Sequence, residues 1–323
     1  MTWLTWRQHR SNAAFVGAML LVLGVTVIYL SIAGAGLLAE ARSCTPAQGA
    51  CGAMQAWFNS DLQTWWGLVL QAVVVVPVLI GMFVGAPLIP RELEGGTHLL
   101  AWSQGVTRGR WFLVRAALLV VGAAVSAAVL AAIAQGWFAM ERDLGGGNGF
   151  LTIWSGFDIA PPVVIAYTLF ALALGIAAGA ALRRTQAAMA VTLVAYIAVR
   201  VSIAVLARWR YLPPVVFREL AGGQLTAGTP APGPGDWLLN SAPPGFFDAA
   251  GHPLNAVSVS QLIFQCTGNT QATCPKALAG VYSLTQYQPA SRFWLFQGIE
   301  AAIFVVLAVA LFALAYRLLM RIR

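Results

Sequence analysis

Long stretches without a charged side chain alternate with short charged segments along this chain. Because an α-helix needs about 20 largely apolar residues to cross the hydrocarbon core of a bilayer, each such stretch is a candidate membrane-spanning helix. Four stretches are uninterrupted, and they lie between Arg10 and Glu40, Asp61 and Arg91, Arg115 and Glu141, and Asp158 and Arg183. Two more are interrupted once: Thr185 to Ala207 by Arg200, and Phe293 to Tyr316 by Glu300. The pattern predicts an all-α integral membrane protein with six transmembrane helices.

Composition supports this interpretation and excludes an ordinary soluble protein. Hydrophobic residues make up 59% of the 323 residues and charged residues only 9%. A typical soluble domain has about 25% charged residues, because most of its surface faces water. A single soluble core cannot bury so large an apolar fraction, so the bilayer is the expected solvent of most of the chain.

The arginines of the short loops predict the orientation, since short loops rich in Lys and Arg are retained in the cytoplasm. With the N-terminus inside, the cytoplasmic arginines are Arg7, Arg10, Arg91, Arg108, Arg110, Arg115, Arg183, Arg184, Arg317, Arg321 and Arg323. The two short outer loops then contain Arg42 and Arg142. The distribution predicts a multi-pass protein of the plasma membrane with both termini in the cytoplasm. Topology and contact with anionic lipid account for the net charge of +8, so no nucleic-acid partner is expected.

The four cysteines all fall in segments predicted to lie outside. Cys44 and Cys51 share the first outer loop, and Cys266 and Cys274 share the last one. Disulfides persist in oxidising compartments, and two local bridges are the simplest of the three possible connectivities. A zinc site is less favoured, because neither pair has the C-x-x-C spacing and no histidine is adjacent.

Residues 208–292 form the one long segment that is not predicted to span the membrane. Residues 1–207 then contain spans one to five, and residues 293–323 contain span six and a cytoplasmic tail. A segment of this size is too long for a simple connection, so we expect an extracellular cap between spans five and six. Prolines recur in it, at Pro230, Pro232, Pro234, Pro243, Pro244 and Pro253. They favour short helices and turns over a sheet, with Arg218 to Leu225 as a candidate short helix.

Two pairs of glycines have the small-x-x-x-small spacing that lets helix backbones approach closely, Gly81 with Gly85 and Gly175 with Gly179. Packing within one subunit and a seam between two subunits both remain open for these pairs.

Two charged residues lie inside predicted spans, where an ionisable side chain is a candidate for function. Arg200 precedes Arg208 by eight residues and Glu300 follows Arg292 by eight, so each lies about 12 Å from the outer boundary. At this matching depth we predict an ion pair, because mutual neutralisation avoids an isolated charge in low dielectric. The pair would either fix the register of spans five and six or line the transport path, and both alternatives remain open.

The segment from Pro90 to Arg115, between spans two and three, has the sequence PRELEGGTHLLAWSQGVTRGRWFLVR. A polar turn at its start is broken by two glycines, and Thr97 can cap a short helix. A second helix start follows at Thr107. The pattern predicts a compact cytoplasmic elbow that offers a rigid surface to a partner, and we call this segment the elbow.

The elbow resembles the corresponding loop of permease subunits of the ABC-2 superfamily of ATP-binding cassette exporters. That loop typically reads R-E-x-E-x-G-T, then a leucine-rich short helix, then P-V-[ST]-R and an aromatic residue. The matching residues here are Arg91, Glu92, Glu94, Gly96, Thr97, Leu99, Leu100, Val106, Thr107, Arg108 and Trp111. Gly105 stands where the family usually has proline. The opening TWLTWRQHR is similar to that of permeases from high-GC Gram-positive (actinobacterial) species.

The resemblance implies a type V exporter fold in which the elbow is the coupling helix that docks on an ATPase subunit. The residues it assigns to this coupling are Arg91, Glu92, Glu94, Gly96, Thr97, Leu99, Leu100, Thr107 and Arg108. It also implies an assembly of two permease subunits, as a homodimer or with a close paralogue, and two nucleotide-binding ATPase subunits.

ATP hydrolysis is expected in the partner, not in this chain. A P-loop needs a lysine next to Ser or Thr to hold the phosphates, and the only lysine here is Lys276, followed by Ala277. ATP and Mg are therefore expected in the ATPase subunit. In this chain we expect no catalytic residue, no bound cofactor and no metal site.

These observations predict the permease subunit of an ATP-driven exporter for a hydrophobic or amphipathic substrate, such as a drug, a peptide or a lipid-like molecule. One alternative is a membrane enzyme, but the chain has neither H-E-x-x-H nor G-x-S-x-G. The other is a proton-coupled secondary transporter that uses Glu300. An arginine partner would disfavour it, since a nearby positive charge holds a carboxylate ionised.

Overall fold

The computed structural model describes residues 17–18, 21–30, 32–33, 36, 63–94, 107–143, 156–220, 231–233, 235–239, 245–255, 259 and 280–321. The chain divides into two compact units. The first comprises Met1–Gly146, Gly156–Ala204 and Gln297–Arg323, and the second comprises Gly147–Ser155 and Val205–Phe296.

The described residues of the first unit are mostly helical. Its helices are α1 (Leu21–Leu30), α2 (Gln63–Ile80), α3 (Pro90–Glu94), α4 (Arg108–Asp143), α5 (Pro161–Leu182), α6 (Thr185–Ser202) and α7 (Phe293–Met320), the last from Gln297 onward. A π-helical turn, Gly81–Gly85, continues α2, and another, Ile203–Ala207, continues α6.

Local sequence explains the sharp connection between α5 and α6. Two prolines open α5, where a fixed φ suits the first helical turn and the missing N–H groups need no partner. Arg183 ends the helix in the left-handed conformation, with φ 55°, and its N–H donates to the carbonyl of Gly179. Arg184 is extended and α6 begins at Thr185. The two helices are therefore joined by two residues, which makes them antiparallel neighbours.

Within the described residues, five helices are long and apolar enough to cross a membrane: Val73–Glu94, Gly109–Gln135, Pro161–Leu182, Thr185–Arg210 and Ala290–Met320. They coincide with predicted spans two to six. The shorter apolar helix α1 falls within the first predicted span, much of which lies outside the described residues. The prediction of a helical multi-pass membrane protein is confirmed, while the count of six and the orientation stay predictions.

The two glycine pairs pack against each other inside the chain. A Cβ atom added to Gly81 would lie 2.5 Å from the carbonyl oxygen of Ala171, and one added to Gly175 would overlap the carbonyl oxygen of Gly81. Gly85 and Gly179 meet backbone atoms of the opposite helix in the same way. The end of α2 and the middle of α5 therefore touch through their backbones. Of the two interpretations left open by the sequence, packing within one subunit accounts for both pairs.

Burial differs strongly among the spans. In α5, 83% of the most apolar stretch is buried inside the chain. In the span that begins with α6, the corresponding share is 11%. The main core is formed by α2, α4, α5 and the end of α7, with Phe112, Leu130, Leu172 and Ile176 among its most buried side chains. The exposed apolar faces of the outer helices are those expected of a chain surrounded by lipid.

The described residues of the second unit form an antiparallel sheet of five strands: β1 (Val215–Leu220), β2 (Trp237–Leu238), β3 (Gly245–Phe247), β4 (Pro253–Leu254) and β5 (Tyr282–Gln288). Strand β5 is central; β1 pairs with one side of it, β2 and β3 with the other, and β4 pairs with β3. The prediction of short helices and turns without a sheet is wrong, and so is the candidate helix from Arg218. The run Val215 to Phe217 is β-branched and aromatic, which suits a strand once β5 is beside it.

Polar side chains fasten the loops of this unit to the sheet. The Gln288 side chain is fully buried and donates to the carbonyl of Leu212 at 2.8 Å. Arg292 donates to the carbonyl of Pro213 and to the side chain of Gln288. Asp236 accepts from the backbone of Ala290 at 2.8 Å. The four cysteines lie outside the described residues, so their bridges stay predictions.

Candidate functional site

The described part of the elbow consists of its two ends. Arg91, Glu92 and Glu94 lie on α3, and Thr107 directly precedes α4, whose first residue is Arg108. The Thr107 hydroxyl accepts from the backbone of Arg110 at 3.4 Å, so the predicted second helix start is confirmed. The other predicted coupling residues, Gly96, Thr97, Leu99 and Leu100, lie outside the described residues.

Glu92 joins the two ends of the elbow. Its Oε1 atom accepts a hydrogen bond from Nη1 of Arg115, and the two form a largely buried ion pair at 2.7 Å. The Arg115 guanidinium also stacks on the Trp111 ring, 4.5 Å from its centroid. Burial strengthens both contacts, because little water competes for the charges. The elbow is thus closed on itself across 23 residues of chain.

Glu94 connects the elbow to another span. One carboxylate oxygen accepts from the backbone N–H of Thr185 at 3.0 Å, and the other accepts from the Thr185 hydroxyl at 2.9 Å. Thr185 is the first residue of α6, where backbone N–H groups have no partner within the helix and the helix dipole is positive. A carboxylate is the natural complement of such a terminus. Glu94 therefore holds the start of span five against the end of span two.

Both glutamates of the elbow thus make bonds within the chain. The side chain of Arg91, by contrast, is exposed, as are Arg110, Arg183 and Arg184. This arrangement can do two things: the glutamates fix the position of the elbow, and the exposed arginines remain accessible to another protein.

A second polar cluster lies between α5, α6 and α7, centred on Tyr167. The Arg200 guanidinium stacks 4.4 Å from the centroid of the Tyr167 ring and forms an ion pair with Asp158 at 3.3 Å. The Tyr167 hydroxyl donates to Glu300, which is 1% exposed, and lies 3.4 Å from Asp158. The structure therefore brings Arg200 and Glu300 to one tyrosine, while a direct pair between them stays a prediction.

Sequence reasoning missed Asp158 and Tyr167. Asp158 was used only as the charged boundary of the fourth span, although Arg200 needs a negative partner at that depth. Tyr167 carried no signal beyond that of any aromatic residue in a span. Tyr167 lies on α5 and contacts Arg200 on α6 and Glu300 on α7, and Glu300 is 133 positions away in the chain. Contacts over such a separation are not visible in a local sequence pattern.

Apolar and polar neighbours enclose the cluster. Phe304 meets the Tyr167 ring edge-on at 4.7 Å between centroids, and Phe170 meets Phe304 at 5.2 Å. Gln297 is fully buried and donates to the carbonyl of Phe157 at 2.7 Å. The Tyr196 hydroxyl is buried and has no hydrogen-bond partner among the described residues. The cluster can thus hold charge within the bilayer only because its partners replace water.

Comparison with protein families matches residues 17–208 to the family described as ABC-2 membrane transporter related. The matched part is more than half of the chain and includes α2 to α6, the elbow and the Tyr167 cluster apart from its residues on α7. A comparison with curated proteins finds no significant match. The extent of the family match, together with the membrane-spanning helices, decides the assignment: the chain belongs to the ABC-2 membrane transporter related family and is a permease component.

Proposed function

We propose that this chain is the membrane-spanning subunit of an ATP-driven exporter, coupled through the elbow to a separate ATPase. The observation that carries the proposal is the double attachment of the elbow. Glu92 closes it through Arg115, and Glu94 ties it to Thr185. A segment that receives force from a partner must be held firmly to the helices that it moves.

The exposed arginines support the place of contact. Arg91 and Arg110 lie within the elbow, and Arg183 and Arg184 precede the helix that Glu94 contacts. Positive charges on one side of a membrane protein steer an acidic partner surface toward it. In this proposal the ATPase binds ATP and Mg, and the elbow residues from Arg91 to Arg108 meet its surface.

The substrate is proposed to be hydrophobic or amphipathic, and movement to be outward. The spans present Ala, Val, Leu and aromatic side chains, which suit a drug, a peptide or a lipid-like molecule. The sheet-containing segment between α6 and α7 is proposed to form an extracellular cap on the release side. A second permease subunit, identical or closely related, would complete the assembly.

Co-expression with candidate nucleotide-binding subunits from the same genome tests the proposal. We expect a complex that survives purification and hydrolyses Mg-ATP in lipid nanodiscs. The double change Leu99→Asp with Leu100→Asp should abolish the complex, because it places charge in the predicted docking helix. Glu219→Lys changes the charge at an exposed position of β1, away from the elbow in sequence; it is the control and should leave the complex intact. Substrate movement that needs only a pH gradient and no ATPase would overturn the proposal.

A further inference from the structure

Glu94 completes the first turn of α6 from outside that helix. The preceding residue, Arg184, is extended and its side chain makes no capping hydrogen bond. The Glu94 carboxylate takes over this role by accepting both the backbone N–H and the hydroxyl of Thr185. The helix start therefore depends on a residue of the elbow, 91 positions earlier in the chain.

The other end of the same helix contacts the intramembrane cluster. Arg200 lies 15 residues after Thr185, which corresponds to about 22 Å along an α-helix. It contacts Asp158 and the ring of Tyr167, and Tyr167 in turn contacts Glu300. Helix α6 is continuous between these two points. Displacement of its first turn must therefore reach the cluster, because a hydrogen-bonded helix resists stretching.

The two elbow glutamates differ in a way that separates their roles. Glu92 pairs with Arg115 inside a mostly buried contact that joins the elbow to itself. Glu94 makes exposed hydrogen bonds to a different span. The Glu94 bonds are therefore the ones that join the elbow to span five.

We propose that Glu94 and Thr185 are positioning residues that pass the nucleotide-driven movement of the elbow to α6, and through Arg200 to the cluster around Tyr167. This inference rests on the proposed function, since it presumes an ATPase that moves the elbow. It adds a second element to the coupling machinery, the cytoplasmic start of span five. Coupling of this kind travels through contiguous hydrogen bonds and rigid elements that have two arrangements.

Hydrogen–deuterium exchange on the purified complex with its ATPase tests the inference. The probes are Mg-ATP and a non-hydrolysable ATP analogue. In the wild-type complex we expect nucleotide to change deuterium uptake both in the elbow and in the peptide that covers residues 183–190. In Glu94→Gln and in Thr185→Val, the elbow should still respond, and the response at residues 183–190 should be lost.

Two variants separate coupling from simple loss of structure. Thr185→Ser keeps the hydroxyl that Thr185→Val removes, so it should retain the response at residues 183–190. Glu219→Gln removes an exposed carboxylate elsewhere and should change neither response. The thermal midpoint of each complex identifies any variant that is merely unfolded, and Thr185→Ala provides a milder replacement for Thr185→Val if needed.

The outcomes distinguish the two proposals. If the wild-type elbow shows no response to nucleotide, the proposed function fails and the inference falls with it. If the elbow responds and residues 183–190 still respond in Glu94→Gln, the inference alone is overturned. The inference is supported if the response at residues 183–190 is lost in Glu94→Gln and in Thr185→Val but is retained in Thr185→Ser.

Discussion

Glu92 and Arg115 form a 2.7 Å ion pair, with side chains 14% and 8% exposed, between the end of one span and the beginning of the next. The attraction within such a pair adds little net stability, because both charges lose contact with water, but breaking the pair is costly. If one partner is removed, the other is a charge with little access to water. The contact therefore makes the geometry of the elbow sensitive to either residue.

The first prediction concerns this pair. Glu92→Gln and Arg115→Met should each lower the free energy of unfolding by on the order of 3 kcal/mol, because each leaves an uncompensated, largely buried charge. The exchange Glu92→Arg with Arg115→Glu should recover part of the loss. Thermal denaturation of the detergent-solubilised protein measures all three. Additive losses in the exchanged protein would contradict the pairing.

The second prediction concerns the contact between α2 and α5. Gly175→Ala should destabilise the protein by about 1–3 kcal/mol, since the added methyl group overlaps the backbone of Gly81. Gly122→Ala is the matched control, because a Cβ atom there meets nothing within 4 Å. It lies on an exposed part of α4 and should be neutral or stabilising by up to about 1 kcal/mol. Equal effects of the two changes on the thermal midpoint would refute the close approach.

The third prediction compares two buried tyrosines. Tyr167→Phe removes the hydroxyl that donates to Glu300 and should cost about 1–3 kcal/mol, because a buried carboxylate loses a donor. Tyr196→Phe removes a buried hydroxyl without a partner among the described residues and should be neutral or stabilising. Both changes keep the ring, so packing is matched. The order of the two thermal midpoints checks the assignment, and the reverse order would contradict it.

The fourth prediction concerns pH and the turn between β3 and β4. The backbone N–H of His252 donates to Asp248, and this bond, aided by the His252 ring and the backbone of Ala250, holds the pKa of Asp248 below its ordinary value of 3.8. The folded state has the lower pKa, so the carboxylate contributes stability above the unfolded pKa and loses this contribution as pH falls through the folded pKa.

Asp248→Ala should therefore lower the thermal midpoint at about pH 7, and the difference from the wild type should shrink at about pH 3. Asp248→Asn keeps one oxygen that can accept the two backbone hydrogen bonds, so it should lower the midpoint less at neutral pH. A difference that is the same at both pH values would show that the charge of Asp248 plays no part.

Much of the helical unit was predictable because its signals are local. The spacing of charges located the spans that α2 and α4 to α7 provide, and Thr107 marked the start of α4 through its capping hydroxyl. The glycine spacing at Gly81 and Gly175 predicted close backbone contact. These features depend on a few neighbouring residues, so a single sequence contains them.

The remaining features depend on residues far apart in the chain. Strands β1 and β5 are separated by about sixty residues. Several prolines lie between them and favour turns, and the strands lack the regular alternation of apolar and polar residues that would indicate a sheet. The partner of Glu94 is Thr185, and nothing near either residue indicates the other. The sequence indicates Asp158 only as the boundary of a span. Its role depends on Arg200, which lies in the following span and 42 positions later in the chain.

The contact between Gly81 and Gly175 has a consequence for how the protein can work. Two helices that touch through their main chains leave no room for a side chain to swing or a ligand to enter between them. We therefore expect α2 and α5 to move together, and a substrate path, if it runs through this chain, to lie between other pairs of helices. The elbow is thus attached directly to this close-packed helix pair and, through Glu94, to the start of α6.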